Sequence, residues 1–115
     1  MKAEPVLAKL NELRKDAEGE GGVEEEALYH AFCFVSYEAG PFGEFVEKGK
    51  APAGKKGVPP GARARAYLDA LEGLREEVAG DEGGMEFIAL DRAAGFIART
   101  LGDFQAYLNE AGEGR

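Results

Sequence analysis

The amino-acid sequence predicts an all-α fold, a four-helix bundle built from two αα-hairpins that a long Gly/Pro/Lys-rich crossover loop joins. Apolar residues recur every three or four positions over most of the 115 residues, and glycine clusters separate these stretches. Spacing of this kind is what shallow-angle helix packing requires. The length suits one domain, residues 1–115, with a single core.

The first predicted helix spans about residues 5–18, since proline suits the first helical position and Gly19 ends the apolar pattern. Its apolar side chains fall on one face: Val6, Leu10, Leu13 and Ala17. The glycine-rich residues 19–22 then predict a tight return to the next helix.

The second predicted helix spans residues 23–48, with a break at residues 40–41 because Gly40-Pro41 cannot continue a helix. It opens with three glutamates, where the helix dipole favours negative charge. Residues 27–39 are apolar nearly all round, which predicts a central helix. The aromatic and β-branched residues 32–37 also fit a buried strand, but the pattern extends beyond the length of a strand and favours helix.

Residues 49–61 hold four glycines and three prolines, and we expect them to form a mobile loop. The third predicted helix spans residues 61–79 and the fourth spans residues 85–111. The fourth carries the clearest apolar stripe: Phe87, Leu90, Ala94, Ile97, Leu101, Phe104 and Leu108. A coiled-coil rod is an alternative, but the glycine breaks and the unequal helices argue against it.

Composition excludes several classes of protein. Apolar residues make up 44% and charged residues 31%, which is typical of a folded domain rather than a disordered chain. No signal peptide or membrane-spanning run is visible, so we expect a cytoplasmic location and no membrane partner. Few amides and many ion-pairing residues favour a thermophilic source, with GC-driven codon bias as the alternative.

Glu26, His30 and Cys33 lie four and three residues apart, on one face of the second predicted helix. A glutamate and a histidine at this spacing can bind a divalent metal, with Glu86 or Asp91 as a third ligand. A Cys–His nucleophilic pair is a second interpretation. We favour a core role for the histidine and the cysteine, and expect no metal, no cofactor and no catalytic site.

The bases are concentrated in one segment, residues 48–65, although the net charge is −8. This segment contains no acid and six bases: Lys48, Lys50, Lys55, Lys56, Arg63 and Arg65. They can bind an acidic protein surface, bind phosphates, or attract the acidic body of the same protein. The segment is therefore a candidate binding site for a partner or an anion.

The sequence predicts a non-catalytic helical subunit for protein–protein interaction or assembly, in a process that it does not identify. A protein partner is expected, and a second copy of the chain, giving a homo-oligomer, is one candidate. The alternative is a nucleic-acid or anion-binding module that uses residues 48–65. No base-stacking aromatic residues accompany that charge, so nucleic acid is the second choice.

Overall fold

The computed structural model describes residues 1–112, in which six α-helices and no strand occur. The last three residues of the predicted domain, 113–115, lie outside the described range. The helices are α1 (Ala3–Asp16), α2 (Val23–Tyr37), α3 (Ala39–Lys48), α4 (Ala62–Glu77), α5 (Met85–Arg99) and α6 (Leu101–Glu110). The all-α prediction is confirmed. The four-helix description is not confirmed, because two of the predicted long helices are each divided in two.

Residues 32–37 are helical, as part of α2, and not a strand. Phe34 and Val35 are fully buried, while Tyr37 on the same helix is exposed. The aromatic and β-branched content of this stretch therefore reflects burial of one helix side, because packing outweighs the weak β-propensity of these residues.

The break in the second predicted helix lies at Glu38 and not at residues 40–41, so that part of the prediction is wrong. Glu38 has φ −97° and ψ 39°, and its carbonyl accepts a hydrogen bond from the Phe42 N–H in the first turn of α3. Pro41 is the third residue of α3. A first-turn N–H has no acceptor within its own helix, so proline costs no hydrogen bond there.

Pro5 has the same position in the first helix, which begins at Ala3 rather than at the proline. The Ala3 N–H donates to the Glu47 carboxylate at 3.0 Å, which connects the start of α1 to the end of α3. The other predicted helix ends lie within two residues of the observed ones, and differences of this size are usual for helix termini.

The predicted helix 85–111 is also wrong as a continuous element, because it is interrupted at Thr100 (φ −128°, ψ 37°). The Thr100 hydroxyl donates to the Phe96 carbonyl at 2.8 Å, a back-bonding that bends helices. The apolar stripe continues across the interruption. Its buried members are Leu90, Ala94, Ile97, Phe104 and Leu108.

The longer helices form a closed arrangement in which α1 contacts α2 and α5, and α4 also contacts α2 and α5. Of the short helices, α3 contacts α1, α2 and α5, and α6 contacts α2, α4 and α5. The largest fully buried side chains include Leu10, Phe34, Phe42, Tyr67, Leu71, Phe96, Ile97 and Phe104. No helix in the described range is long and apolar enough to cross a membrane.

Candidate functional site: a tyrosine surface on two helices

The triplet considered as a metal site, Glu26, His30 and Cys33, is divided between the interior and the surface. His30 is buried and stacks on the Tyr67 ring, with centroids 5.3 Å apart. The Tyr67 hydroxyl donates to the Glu26 carboxylate at 3.3 Å. Cys33 is half-buried and lies against Tyr107 of α6. Within residues 1–112, no group of three or more His, Cys, Asp or Glu side chains is arranged to hold a metal ion.

Residues 49–61 form a strap, an irregular segment whose backbone is bound to α6. The N–H groups of Lys55 and Lys56 donate to the Asp103 carboxylate at 2.8 to 3.2 Å. The Gly61 N–H donates to Gln105 Oε1 at 2.6 Å. These contacts define the path of the strap, while its mobility in solution remains a prediction.

Gly102 explains how the strap approaches α6 so closely. A Cβ at this position would lie 2.5 Å from the Val58 carbonyl oxygen, well inside van der Waals contact. The α6 backbone can therefore contact the strap backbone only because residue 102 has no side chain.

The six bases of the candidate partner- or anion-binding segment differ in exposure. Arg63, near the start of α4, is partly buried. Lys50 pairs with Glu44 at 3.1 Å. The exposed members are Lys48, Lys50, Lys55, Lys56 and Arg65.

Beside the strap is a groove of about 430 Å³ in which Lys50 and Lys55 stand among Glu38, Glu44 and Asp103. Three carboxylates against two ammonium groups give no net attraction for an anion. This groove therefore does not favour the anion-binding alternative, and binding by the exposed bases elsewhere in the segment stays a prediction.

A different surface stands out on α2 and α6. Tyr29 and Tyr37 are 49% and 70% exposed, and Cys33 lies between them in the sequence. Positions 29, 33 and 37 share one helix face because they are four residues apart. Tyr107 of α6 extends this face, with its ring centroid 5.6 Å from that of Tyr37. We call these four residues the tyrosine surface.

Core rings support the tyrosine surface from below. Tyr107 contacts Phe34 at 5.6 Å between centroids, and Phe34 contacts Phe104 at 5.1 Å. At the other end, Tyr29 contacts the buried His30 at 5.1 Å. The Tyr107 ring is thus packed on the interior, and it provides a contact for the more exposed Tyr37 ring.

The hydroxyl of Tyr107 stays protonated well above neutral pH. Burial raises the pKa of Tyr107, and the neighbouring Cys33, Tyr29 and Tyr37 raise it further. A protonated phenol both donates and accepts hydrogen bonds. The tyrosine surface therefore combines apolar area with neutral polar groups.

The helices that carry the tyrosine surface, α2 and α6, are acidic. Neither α2 nor α6 contains a lysine or an arginine, and their acids are Glu24, Glu25, Glu26, Asp103 and Glu110. A cleft of about 480 Å³ adjoins Tyr29 and His30, with three carboxylates and one guanidinium among its other lining groups: Glu18, Glu25, Glu26 and Arg14.

The Glu25 carboxylate lies in this cleft and is held by the backbone. It accepts hydrogen bonds from the N–H groups of Gly19 at 2.9 Å and Gly21 at 2.7 Å. These bonds hold the pKa of Glu25 below its ordinary value. Glu25 is thus negatively charged at neutral pH and restrained in position.

The excess apolar character of α2 is visible in the sequence, whereas the tyrosine surface is not among the predicted sites. The four-residue spacing of Tyr29, Cys33 and Tyr37 was the available signal. The contribution of Tyr107 depends on the packing of α6 against α2, which the continuous helix predicted for residues 85–111 did not reveal.

Comparison with known proteins identifies one family and finds no match among curated proteins or solved structures. The matching family is described as vWA-MoxR associated protein middle region (VMAP-M) 5, and its model covers residues 1–111. That range includes all six helices, the strap and the tyrosine surface. The chain therefore belongs to the vWA-MoxR associated protein middle region (VMAP-M) 5 family.

Proposed function

We propose that this chain is a non-catalytic association module that binds a protein of a vWA–MoxR system through its tyrosine surface. The family description speaks of an associated protein, which supports a role in assembly. The observation that carries the proposal is the concentration of three of the four tyrosines on one face of α2 and α6.

Tyrosine is among the residues most enriched at the centres of protein interfaces, where it supplies contact area and a polar group together. Exposed apolar patches on a folded domain generally mark a site of interaction. Two of the four large apolar side chains that are most exposed in residues 1–112, Tyr29 and Tyr37, belong to this surface.

The surroundings of the histidine and the cysteine support a non-catalytic role. His30 contacts the rings of Tyr29 and Tyr67, so its imidazole is packed among aromatic side chains. Cys33 is half-buried and lies against the Tyr107 side chain, whereas a cysteine nucleophile needs a base beside it. Both residues fit a packing role at the base of an interface.

The proposal is tested with the purified chain and the purified vWA-domain and MoxR-type proteins of its source organism, by isothermal titration calorimetry. We expect binding to at least one of them, and a loss of about tenfold or more in affinity for the double variant Tyr29→Ala/Tyr37→Ala. Both side chains are exposed, so the variant should keep its helical circular-dichroism spectrum.

Val23→Ala is the matched control, because Val23 is a 39% exposed apolar residue at the start of α2 and outside the tyrosine surface. Its affinity should equal that of the unmodified chain. Equal affinity of the tyrosine double variant, or no binding to either protein, would contradict the proposal.

A further inference from the structure

We infer that the tyrosine surface binds a cationic amphipathic segment, a partner helix that carries arginine or lysine side chains beside apolar ones. This inference rests on the proposed function, because it concerns the same surface. It adds the chemical class of the partner, which the family description does not give.

The bases are distributed unevenly over the helices. Every helix outside the tyrosine surface contains at least one base, for example Lys9 in α1, Lys48 in α3, Arg75 in α4 and Arg92 in α5. The two helices that carry the tyrosine surface, α2 and α6, contain no lysine and no arginine. A cationic partner thus meets neither residue on these helices, while an anionic partner meets carboxylates there.

Acidic side chains lie at the edges of the tyrosine surface. Glu26 precedes Tyr29 by three residues and Glu110 follows Tyr107 by three residues, so each carboxylate lies one turn from a surface tyrosine. Both glutamates are exposed. The surface therefore has aromatic side chains at its centre and an exposed carboxylate one turn away on each of its two helices, which suits an interface with an apolar centre and a polar rim.

The dimensions of the surface suit a helix. Tyr29 and Tyr37 are eight residues apart in α2, which corresponds to about 12 Å along the helix axis. Two to three turns of a partner helix cover that distance. Tyrosine rings also attract guanidinium and ammonium groups through their faces, so arginine gains contact both with the rings and with the acidic rim.

Other occupants fit the charges less well. Nucleic acid and anionic membranes carry charge of the same sign as the rim. A second copy of the chain is disfavoured because two copies of net charge −8 repel each other.

The test uses a fluorescein-labelled synthetic helical peptide of about 18 residues with leucine on one face and arginine beside it. A matched peptide carries glutamine in place of every arginine. In anisotropy titrations of the unmodified chain, the arginine peptide should bind and its binding should weaken with added salt. The glutamine peptide should bind at least about tenfold more weakly.

Charge variants of the chain show which carboxylates contribute to binding of the arginine peptide. Glu26→Gln/Glu110→Gln should weaken binding of the arginine peptide several-fold, and glutamine keeps an acceptor for the Tyr67 hydroxyl. Asp69→Asn/Glu76→Gln removes the same amount of charge from exposed sites on α4 and should leave the affinity unchanged. Equal losses in the two double variants would show general electrostatic attraction and overturn the inference.

The remaining outcomes separate the inference from the proposed function. If the chain binds its vWA or MoxR partner through the tyrosines but binds both peptides equally, the cationic class is wrong and the proposed function stands. Displacement of the peptide by an unlabelled duplex oligonucleotide would overturn the inference in favour of nucleic acid. Self-association in sedimentation that Tyr29→Ala/Tyr37→Ala abolishes would overturn it in favour of a second copy.

Discussion

Glu25 stabilises the turn between α1 and α2 by accepting two backbone hydrogen bonds, from Gly19 and Gly21. Both glycines have positive φ, 87° and 74°, which other residues rarely adopt. The carboxylate satisfies N–H groups that precede α2, much as a glutamate in a capping box does. One side chain thus connects the glycine turn to a helix of the tyrosine surface.

This arrangement predicts a pH-dependent effect of Glu25→Gln. Because the pKa of Glu25 is lowered in the folded state, the stabilisation is complete above the ordinary value of about 4.3 and is lost as the pH falls through the lowered value. We expect the variant to have a lower melting temperature at neutral pH, with a difference that disappears in acid. Thermal melts across this range measure it.

Glu24→Gln is the matched control, since Glu24 lies in the same helical turn and is exposed. It should show little change at either pH. A melting difference for Glu25→Gln that is the same at neutral and at acid pH would show that the carboxylate charge is not involved.

Core residues contribute to the free energy of unfolding according to how deeply each side chain is buried. Leu71 is fully buried, and its replacement by alanine should cost about 2–5 kcal/mol of unfolding free energy. Leu101, a member of the predicted stripe, is only partly buried, so Leu101→Ala should cost less. Urea unfolding of the two variants measures the difference, and equal costs would argue against this description of the core.

At the scale of helices and loops, the strap depends on the missing side chain at residue 102. Gly102→Ala should displace Val58 and loosen the segment, at a cost of about 1–3 kcal/mol. The amides of Lys55 and Lys56 should then exchange with solvent faster in hydrogen-exchange measurements. The control is Gly73→Ala in α4, because a Cβ there meets nothing within 4 Å and should instead stabilise the helix.

The charges of the basic segment, residues 48–65, can be removed without removing the groups that attach the strap to α6. The contacts of Lys55 and Lys56 with Asp103 come from backbone N–H groups, so replacing Lys55, Lys56, Arg63 and Arg65 by glutamine leaves these hydrogen bonds available. If the segment binds nucleic acid, this variant should flatten the log–log salt dependence of oligonucleotide binding by about 3–4 units. An unmodified chain that binds no oligonucleotide removes this alternative.

The two interruptions of the predicted long helices show that the spacing of apolar residues predicts the buried face of a helix but not where the helix is interrupted. Apolar spacing identified the buried face of α5 and α6 correctly, because Ile97 and Phe104 lie on one stripe that continues across Thr100. The interruption involves a threonine hydroxyl bonded to a carbonyl, a local contact that leaves the stripe unchanged. The interruption at Glu38 shows the same limit of periodicity. Gly40-Pro41 predicted a break at residues 40–41, but in the structure Pro41 lies in the first turn of α3.

On the scale of the whole molecule, the all-α class could be predicted from the sequence, whereas the candidate site could not. The site needs Tyr37 and Tyr107 side by side, and these residues lie in the second and the last helix. Only the packing of α6 against α2 brings them together. Periodicity indicates which face of a helix is buried, but not which two helices become neighbours.

The tyrosine surface also determines how the protein can be observed. The chain has no tryptophan and four tyrosines, so its intrinsic fluorescence comes from tyrosine alone. Three of these fluorophores belong to one surface, while Tyr67 is buried at the His30 ring. A partner that covers the surface changes the surroundings of most of the emitters at once. Association can therefore be followed without a label, with a partner that lacks aromatic residues as the optically silent titrant.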